Sequence, residues 1–162
     1  MYLKRKLNSS LTSFKSLHFS YKTTQKTSFR HLVTIGIGGN IGDVKRRFEH
    51  LFYFLKRDIQ VEILQTSSIL KNPPFGYLEQ DDFFNALIVV KTNLQPRQML
   101  DYLLRVEKKF LRKRSFENAP RSLDLDIIFF DNRVIDTPRL QIPHLSWFER
   151  QSVTIPLMDL HI

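Results

Sequence analysis

The chain has no cysteine among its 162 residues. A disulfide framework and a thiolate metal site are therefore both excluded, which suits a reducing compartment. No stretch approaches the roughly 20 consecutive apolar residues that a membrane span requires. No apolar run of signal-peptide type opens the chain, which argues against secretion. Glycine is scarce, at 5 residues, and four of them crowd into IGIGGNIG at 35–42. Acids are missing from the first thirty residues, which hold Lys4, Arg5, Lys6, Lys15, Lys22, Lys26 and Arg30. That segment supplies seven of the nine net positive charges, so a nucleic-acid function cannot be read from the overall basicity.

What remains is ordinary globular composition, with length for one domain and a sizeable core. Residues 1–30 are rich in Ser, Thr, Lys and Arg and admit three readings. They fit a transit peptide, a disordered basic arm, or an added strand in which Leu17, Phe19 and Tyr21 alternate with His18, Ser20 and Lys22. Residues 31–162 form the expected folded domain. HLVTIGIGG reads as a short buried strand ending in glycines. Asp43 can cap a helix whose apolar positions are Val44, Phe48, Leu51, Phe52 and Leu55. VEILQTSSIL reads as one β-branched strand, KNPPFGYLEQ as a loop, and FFNALIVVKT as a strong strand. Pro96 suits the start of a second helix with Met99, Leu100, Leu103, Val106 and Phe110 on its apolar face. After the basic segment LRKRSFENAPR, LDLDIIFF reads as a strand and DNR as a hairpin turn. Short pieces follow around IPHLSWFER and SVTIPLM. The order strand, helix, strand, strand, helix, strand is the ferredoxin-like pattern, an α+β fold with an antiparallel-dominated sheet.

The chemistry concentrates in RSLDLDIIFF. Side chains at i and i+2 of a strand share a face, so Asp124 and Asp126 stand side by side. Leu123, Leu125, Ile127 and Phe129 face the other way, and Ile128 and Phe130 continue the acidic face. Two adjacent carboxylates repel, and Mg²⁺ with substrate phosphates would relieve them. A solvated strand face carrying two charges is the competing reading. Arg112, Arg114 and Arg121 flank the loop leading into this strand. Guanidinium groups suit phosphate oxygens, although, taken alone, these arginines are better read as a solvated basic run with Lys108, Lys109 and Lys113. The glycines of IGIGGNIG match no phosphate-loop spacing and read as a structural turn. His144 after Pro143 reads as structural. Asn85, inside an apolar strand, either satisfies backbone groups or reads a polar heterocycle.

Together the segments GGNIGD, NPPFG, FFNA, LQPRQML, RKR, PRSLDLDIIFF and IPH resemble those of the 6-hydroxymethyl-7,8-dihydropterin pyrophosphokinases over about residues 32–158. The resemblance implies the family's three-layer α/β/α variant of the ferredoxin-like fold. It implies transfer of pyrophosphate from ATP to the pterin alcohol, with attack on the β-phosphorus and release of AMP. It also implies two Mg²⁺ ions held by Asp124 and Asp126, with Arg112, Arg114 and Arg121 as catalytic arginines. Glu107, Ile127, Arg139, His144 and Arg150 match nucleotide-contacting positions. Asn72, Pro73, Phe75, Phe83 and Asn85 match the pterin pocket. A monomeric cytoplasmic enzyme of folate biosynthesis, acting on these two small molecules with neither nucleic acid nor membrane as partner, is the resulting expectation. This chain departs from the family pattern with Leu111 for a glycine, a loop one residue short, Asn118 for a tryptophan and Ser152 for an aromatic. The rival functions are a non-catalytic ferredoxin-like nucleic-acid-binding module and a different Mg-ATP-dependent transferase. The first would call for an aromatic signature of the type K/R-G-F/Y-G/A-F-V-x-F/Y, which is absent.

Overall fold

A computed structural model describes residues 1–110, 117, 118 and 120–162. Its strands are β1 (Leu3–Lys6), β2 (Thr12–Lys15), β3 (His31–Gly39), β4 (Val61–Thr66), β5 (Ile69–Asn72), β6 (Phe83–Thr92), β7 (Asp124–Phe130), β8 (Ile135–Asp136) and β9 (Gln141–Ile142). Its helices are α1 (Val44–Arg57), α2 (Pro96–Lys109) and α3 (Gln151–Leu157). β1, β2, β5, β6, β3 and β7 lie in that order in one antiparallel sheet, and β4 also pairs with β6. Among the described residues no helix is long and apolar enough to cross a membrane.

The two long helices form where the sequence pattern places them. The Asp43 carboxylate accepts the Arg46 N–H at 3.2 Å, and Val44, Phe48, Leu51, Phe52 and Leu55 are all buried on one stripe of α1. Lys56 and Arg57 in its last turn complement the helix dipole. Pro96 occupies the first turn of α2, and Met99, Leu103 and Val106 are buried with Tyr102 and Glu107. Both helices pack on the face of the sheet that carries Val33, Ile35, Ile37, Ala86, Ile88 and Val90. α3 covers the opposite face, where Val153 and Leu160 meet Leu87, Val89 and Ile128.

Four sequence readings need correction. VEILQTSSIL is two strands, both along the same edge of β6, broken at Ser67. There the Ser67 hydroxyl accepts the Leu87 N–H at 2.8 Å while the Ser67 N–H donates to the Leu87 carbonyl at 2.9 Å. A side-chain oxygen thus replaces a ladder carbonyl. The face assignment along β7 holds to Ile128 and reverses at Phe129. Thr34 pairs with Phe129 and Ile35 with Ile127, so Ile128 is the extra residue of a β-bulge. Phe130 consequently joins the helix-side core, and Phe129 packs with Ile128 on the other face. Asp131 does start a turn, at φ 50°, but β7 pairs with β3 and β8 pairs with β9, so no β7–β8 hairpin forms. Finally, the alternation at residues 17–22 is not a strand. Leu17 is exposed and Phe19 fully buried, and a single bridge links Lys22 to Gln65. β1 and β2 form a hairpin earlier in the chain.

Phe19 packs against Phe48 and Phe52 with ring centroids 6.0 and 6.2 Å apart. Truncating a fully buried phenylalanine to alanine typically costs about 3–5 kcal/mol. Phe19→Ala is expected to lower unfolding free energy by that amount in urea titration. A loss under about 1 kcal/mol would show that this ring contributes no more than a surface contact.

Candidate active site

Strand β3, between β6 and β7, supplies a floor without side chains. In the cross-strand register, Gly38 lies between Asn85 of β6 and Asp124 of β7, and Gly36 lies between Leu87 and Asp126. The two carboxylates therefore stand beside bare backbone. A β-carbon at Gly38 would come within 2.5 Å of the Asn85 side-chain oxygen, and one at Gly36 within 3.0 Å of Ile128. Gly36, Gly38 and Gly39, read as part of a turn, are strand residues, and their lack of side chains makes room above the sheet. Of IGIGGNIG, only Gly42 has a positive φ, at 71°.

Over this floor runs a cleft of about 340 Å³, lined by Asn72, Pro73, Phe75, Phe83, Asn85, Arg121, Asp124 and Arg150 among others. A narrower extension reaches Asp126, His144 and Ser152. One wall is an amide pair, in which Asn85 donates to the Asn72 side-chain oxygen at 2.7 Å and Asn72 donates to the Pro73 carbonyl at 3.0 Å. Phe83 shares a face with Asn85, and the Arg121 guanidinium lies 5.6 Å from its ring centroid. Arg121 also donates to Asp124 at 2.7 Å. Across the cleft, Arg150 lies 4.9 Å from the ring of Phe75, which is 65% exposed. The Arg150 Nε is buried and has no hydrogen-bond partner among the described residues. A bound acceptor would satisfy it.

His144 sits in the narrow extension, its backbone N–H donating to the Ile128 carbonyl at 2.9 Å. Burial first, and then the Arg150 charge, hold its imidazole below the ordinary value of 6.5, while Asp124 pulls it upward. His144 is therefore neutral at pH 7. The unfolded chain binds this proton more readily, so the stability contributed by His144 is complete above about pH 6.5 and is lost as pH falls below it. An NMR titration should find its midpoint under 6.5, and a midpoint above that would contradict the burial argument.

Three of the sequence-matched positions lie elsewhere. The Ile127 side chain is in the helix-side core. Arg139 forms an ion pair with Asp101 on α2. Glu107 is buried beneath β7, where its carboxylate accepts the Leu125 N–H at 2.8 Å between the two aspartates. Arg112 and Arg114 lie outside the described residues.

Two residues that the sequence reading missed hold the cleft together. Asn40 is buried. Its N–H donates to the Arg121 carbonyl and its side-chain oxygen accepts the Arg121 N–H, both at 2.9 Å. Its amide nitrogen donates to Gln80 at 2.8 Å and to the Asp81 carbonyl at 3.0 Å. Arg47 donates to the carbonyls of Ile41 and Ser122 at 2.7 and 2.8 Å. The only sequence signal for Asn40 was an amide placed directly after a buried glycine strand, where it must find partners.

The family model for 7,8-dihydro-6-hydroxymethylpterin-pyrophosphokinase matches residues 34–162. The chain is 44% identical over 143 residues to the 2-amino-4-hydroxy-6-hydroxymethyldihydropteridine pyrophosphokinase of Campylobacter jejuni, covering 88% of this chain and 91% of that one. It is 36% identical over 135 residues to the enzyme of the same name from Helicobacter pylori, covering 82% and 83%. With that of Bacillus subtilis it shares 32% over 130 residues, covering 80% and 78%. The match takes in the glycine floor, both aspartates and the amide wall, and on this ground the chain belongs to the 7,8-dihydro-6-hydroxymethylpterin-pyrophosphokinase family.

Proposed function

We propose that this chain transfers the pyrophosphoryl group of ATP to the hydroxymethyl oxygen of 6-hydroxymethyl-7,8-dihydropterin, releasing AMP, as a step of folate biosynthesis. The observation that carries the assignment of roles is the row Asn85–Gly38–Asp124, in which a reader for a flat heterocycle and a carboxylate for a phosphate-bound cation are cross-strand neighbours. The reacting atoms must meet between two such groups.

In this reading the pterin lies on Phe83, with its amide edge on Asn85 and Asn72 and its rim against Pro73. Phe75 supplies a ring from the other side, where Ser152 offers none. Asp124 and Asp126 would hold two Mg²⁺ ions. Their fit rests on the donor set, since paired same-face carboxylates with space above glycines are what a hard cation shared with substrate phosphates takes. Bound there, Mg²⁺ would neutralise phosphate oxygens and orient the leaving group. Arg121 leaves Phe83 and Asp124 for the phosphate chain, Arg150 gives its orphaned Nε to a ligand oxygen, and His144 offers neutral imidazole hydrogen bonding to the nucleotide. Arg112 and Arg114 join from the preceding segment. Glu107 acts by holding the β7 backbone, and Ile127 and Arg139 reach the nucleotide only through backbone or a changed side-chain position.

The reaction forms a bond from the pterin oxygen to the β-phosphorus and breaks the bridge between the α- and β-phosphorus. AMP leaves with the electron pair, and the hydroxyl proton is released. Positioning and charge neutralisation are the catalytic task in such transfers. The fold is read as the three-layer variant of the ferredoxin-like class, supported by α1 and α2 on one face of the sheet and α3 on the other. Residues 31–162 then carry the catalytic machinery, and residues 1–30 extend it. The enzyme works as a cytoplasmic monomer on small molecules alone. Incubation with ATP, Mg²⁺ and the pterin alcohol tests this reading. AMP and the pterin diphosphate should appear in equal amounts, ADP would mark a different transferase, and RNA binding without turnover would mark a binding module.

A further inference from the structure

The wall that carries Asn72 and Pro73 hangs from β5, a strand of only four residues. β5 is joined to β6 by three register pairs, Leu70–Asn85, Lys71–Phe84 and Asn72–Phe83. Left at a sheet edge, so short a strand would open readily. It is not left there. β2 pairs along its outer side, with Thr12 opposite Lys71, Ser13 opposite Leu70 and Phe14 opposite Ile69. Each residue of β5 from 69 to 71 therefore has a neighbour from the N-terminal hairpin.

Phe14 makes the side-chain link. It is buried, its ring lies 6.0 Å from that of Phe84, and the Lys45 ammonium stands 4.0 Å above it. Phe84 is the residue between Phe83 and Asn85, with its side chain on the opposite face of β6. Fixing Phe84 from below fixes the backbone that aims Phe83 and Asn85 into the cleft. A second tie runs from the Ser13 hydroxyl to that of Ser68 at 3.1 Å, just before β5 begins.

We infer that the N-terminal hairpin, through Phe14, is a positioning element for the pterin-binding wall. This rests on the reading of Asn72, Phe83 and Asn85 as the pterin wall. The phosphate side of the cleft is carried by β7, which β5, β6 and β3 separate from β2. The hairpin therefore acts on one substrate and not on the other.

The test is steady-state kinetics of the full-length chain with Phe14→Ala and Phe14→Leu, well below their melting temperatures. The alanine variant is expected to raise the KM for the pterin about tenfold with the KM for ATP within about twofold, and leucine to restore most of the loss. A variant that melts earlier but keeps both KM values overturns the inference, because a purely structural role lowers only the folded fraction. A parallel rise of both KM values overturns it too. Backbone hydrogen exchange without substrate gives the second readout. Faster exchange at 69–72 and 83–85, with β7 unchanged, supports the brace, and unchanged exchange there contradicts it. Should Phe14→Ala fail to fold, exchange in Phe14→Leu decides by the same criterion. Absence of AMP formation by the unaltered chain would instead remove the pterin reading, and the exchange result would still stand on its own.

Discussion

Asp126→Asn is expected to abolish turnover while leaving the fold intact. Asp126 is partly buried at the inner end of the cleft, beside Gly36, where no cross-strand side chain takes its place. Asparagine keeps the volume and loses the charge. In the proposed role the substitution would weaken the hold on a Mg²⁺ ion, whose stabilisation of a transferring group is worth several kcal/mol in the transition state. Asp126 lies in the cleft and not in either core cluster, so the fold should hold. A loss of only tenfold corresponds to about 1.4 kcal/mol, too small for a metal-holding carboxylate. A variant retaining more than about a tenth of the wild-type rate at saturating Mg²⁺ would remove Asp126 from that role.

Phe83→Ala is expected to raise the pterin dissociation constant about tenfold or more, a change of about 1.4 kcal/mol. Offset stacking on a ring is worth about 0.5–1.5 kcal/mol beyond burial, and the lost contact area adds to it. ATP affinity should change little, since the groups assigned to phosphate lie on β7 and in the segments flanking it, and Phe83 is assigned to the pterin alone. Phe83 lines the cleft and belongs to neither core cluster, so its truncation should hardly move the melting temperature. Its neighbour Phe84 packs on the helix-side core and is the natural control, because Phe84→Ala should lose stability. Calorimetric titration of each ligand separates the cases. Equal weakening of both ligands, together with a lower melting temperature, would make Phe83 a core residue.

Some of this was legible in the sequence because it depends on neighbours in sequence. The stripes on α1 and α2 follow from helical periodicity, and the shared face of Asp124 and Asp126 from the period of a strand. Phe83 and Asn85 share a face for the same reason. Other features depend on partners far along the chain. The bulge at Ile128 reflects the register with β3, and no residue in DLDIIFF announces it. Ser67 breaks a strand because Leu87 presents both backbone groups to it. β1 is LKRK with every residue exposed, so it has no alternation to read, and pairing alone defines it. α3 runs through Thr154, Ile155 and Pro156, against their local preference, because Val153 has a core to enter. Asn40 was passed over because a short turn hides the distance its amide spans. The arginines at 112 and 114 fall outside the described residues, and their part in the account rests on the family resemblance.

Position-specific labelling of ATP distinguishes pyrophosphoryl from phosphoryl transfer. With phosphorus label at the β or at the γ position, both labels should enter the pterin product as an intact diphosphate, and label at the α position should leave as AMP. Transfer of the γ label alone, with the β label remaining in ADP, would contradict pyrophosphoryl transfer by this chain.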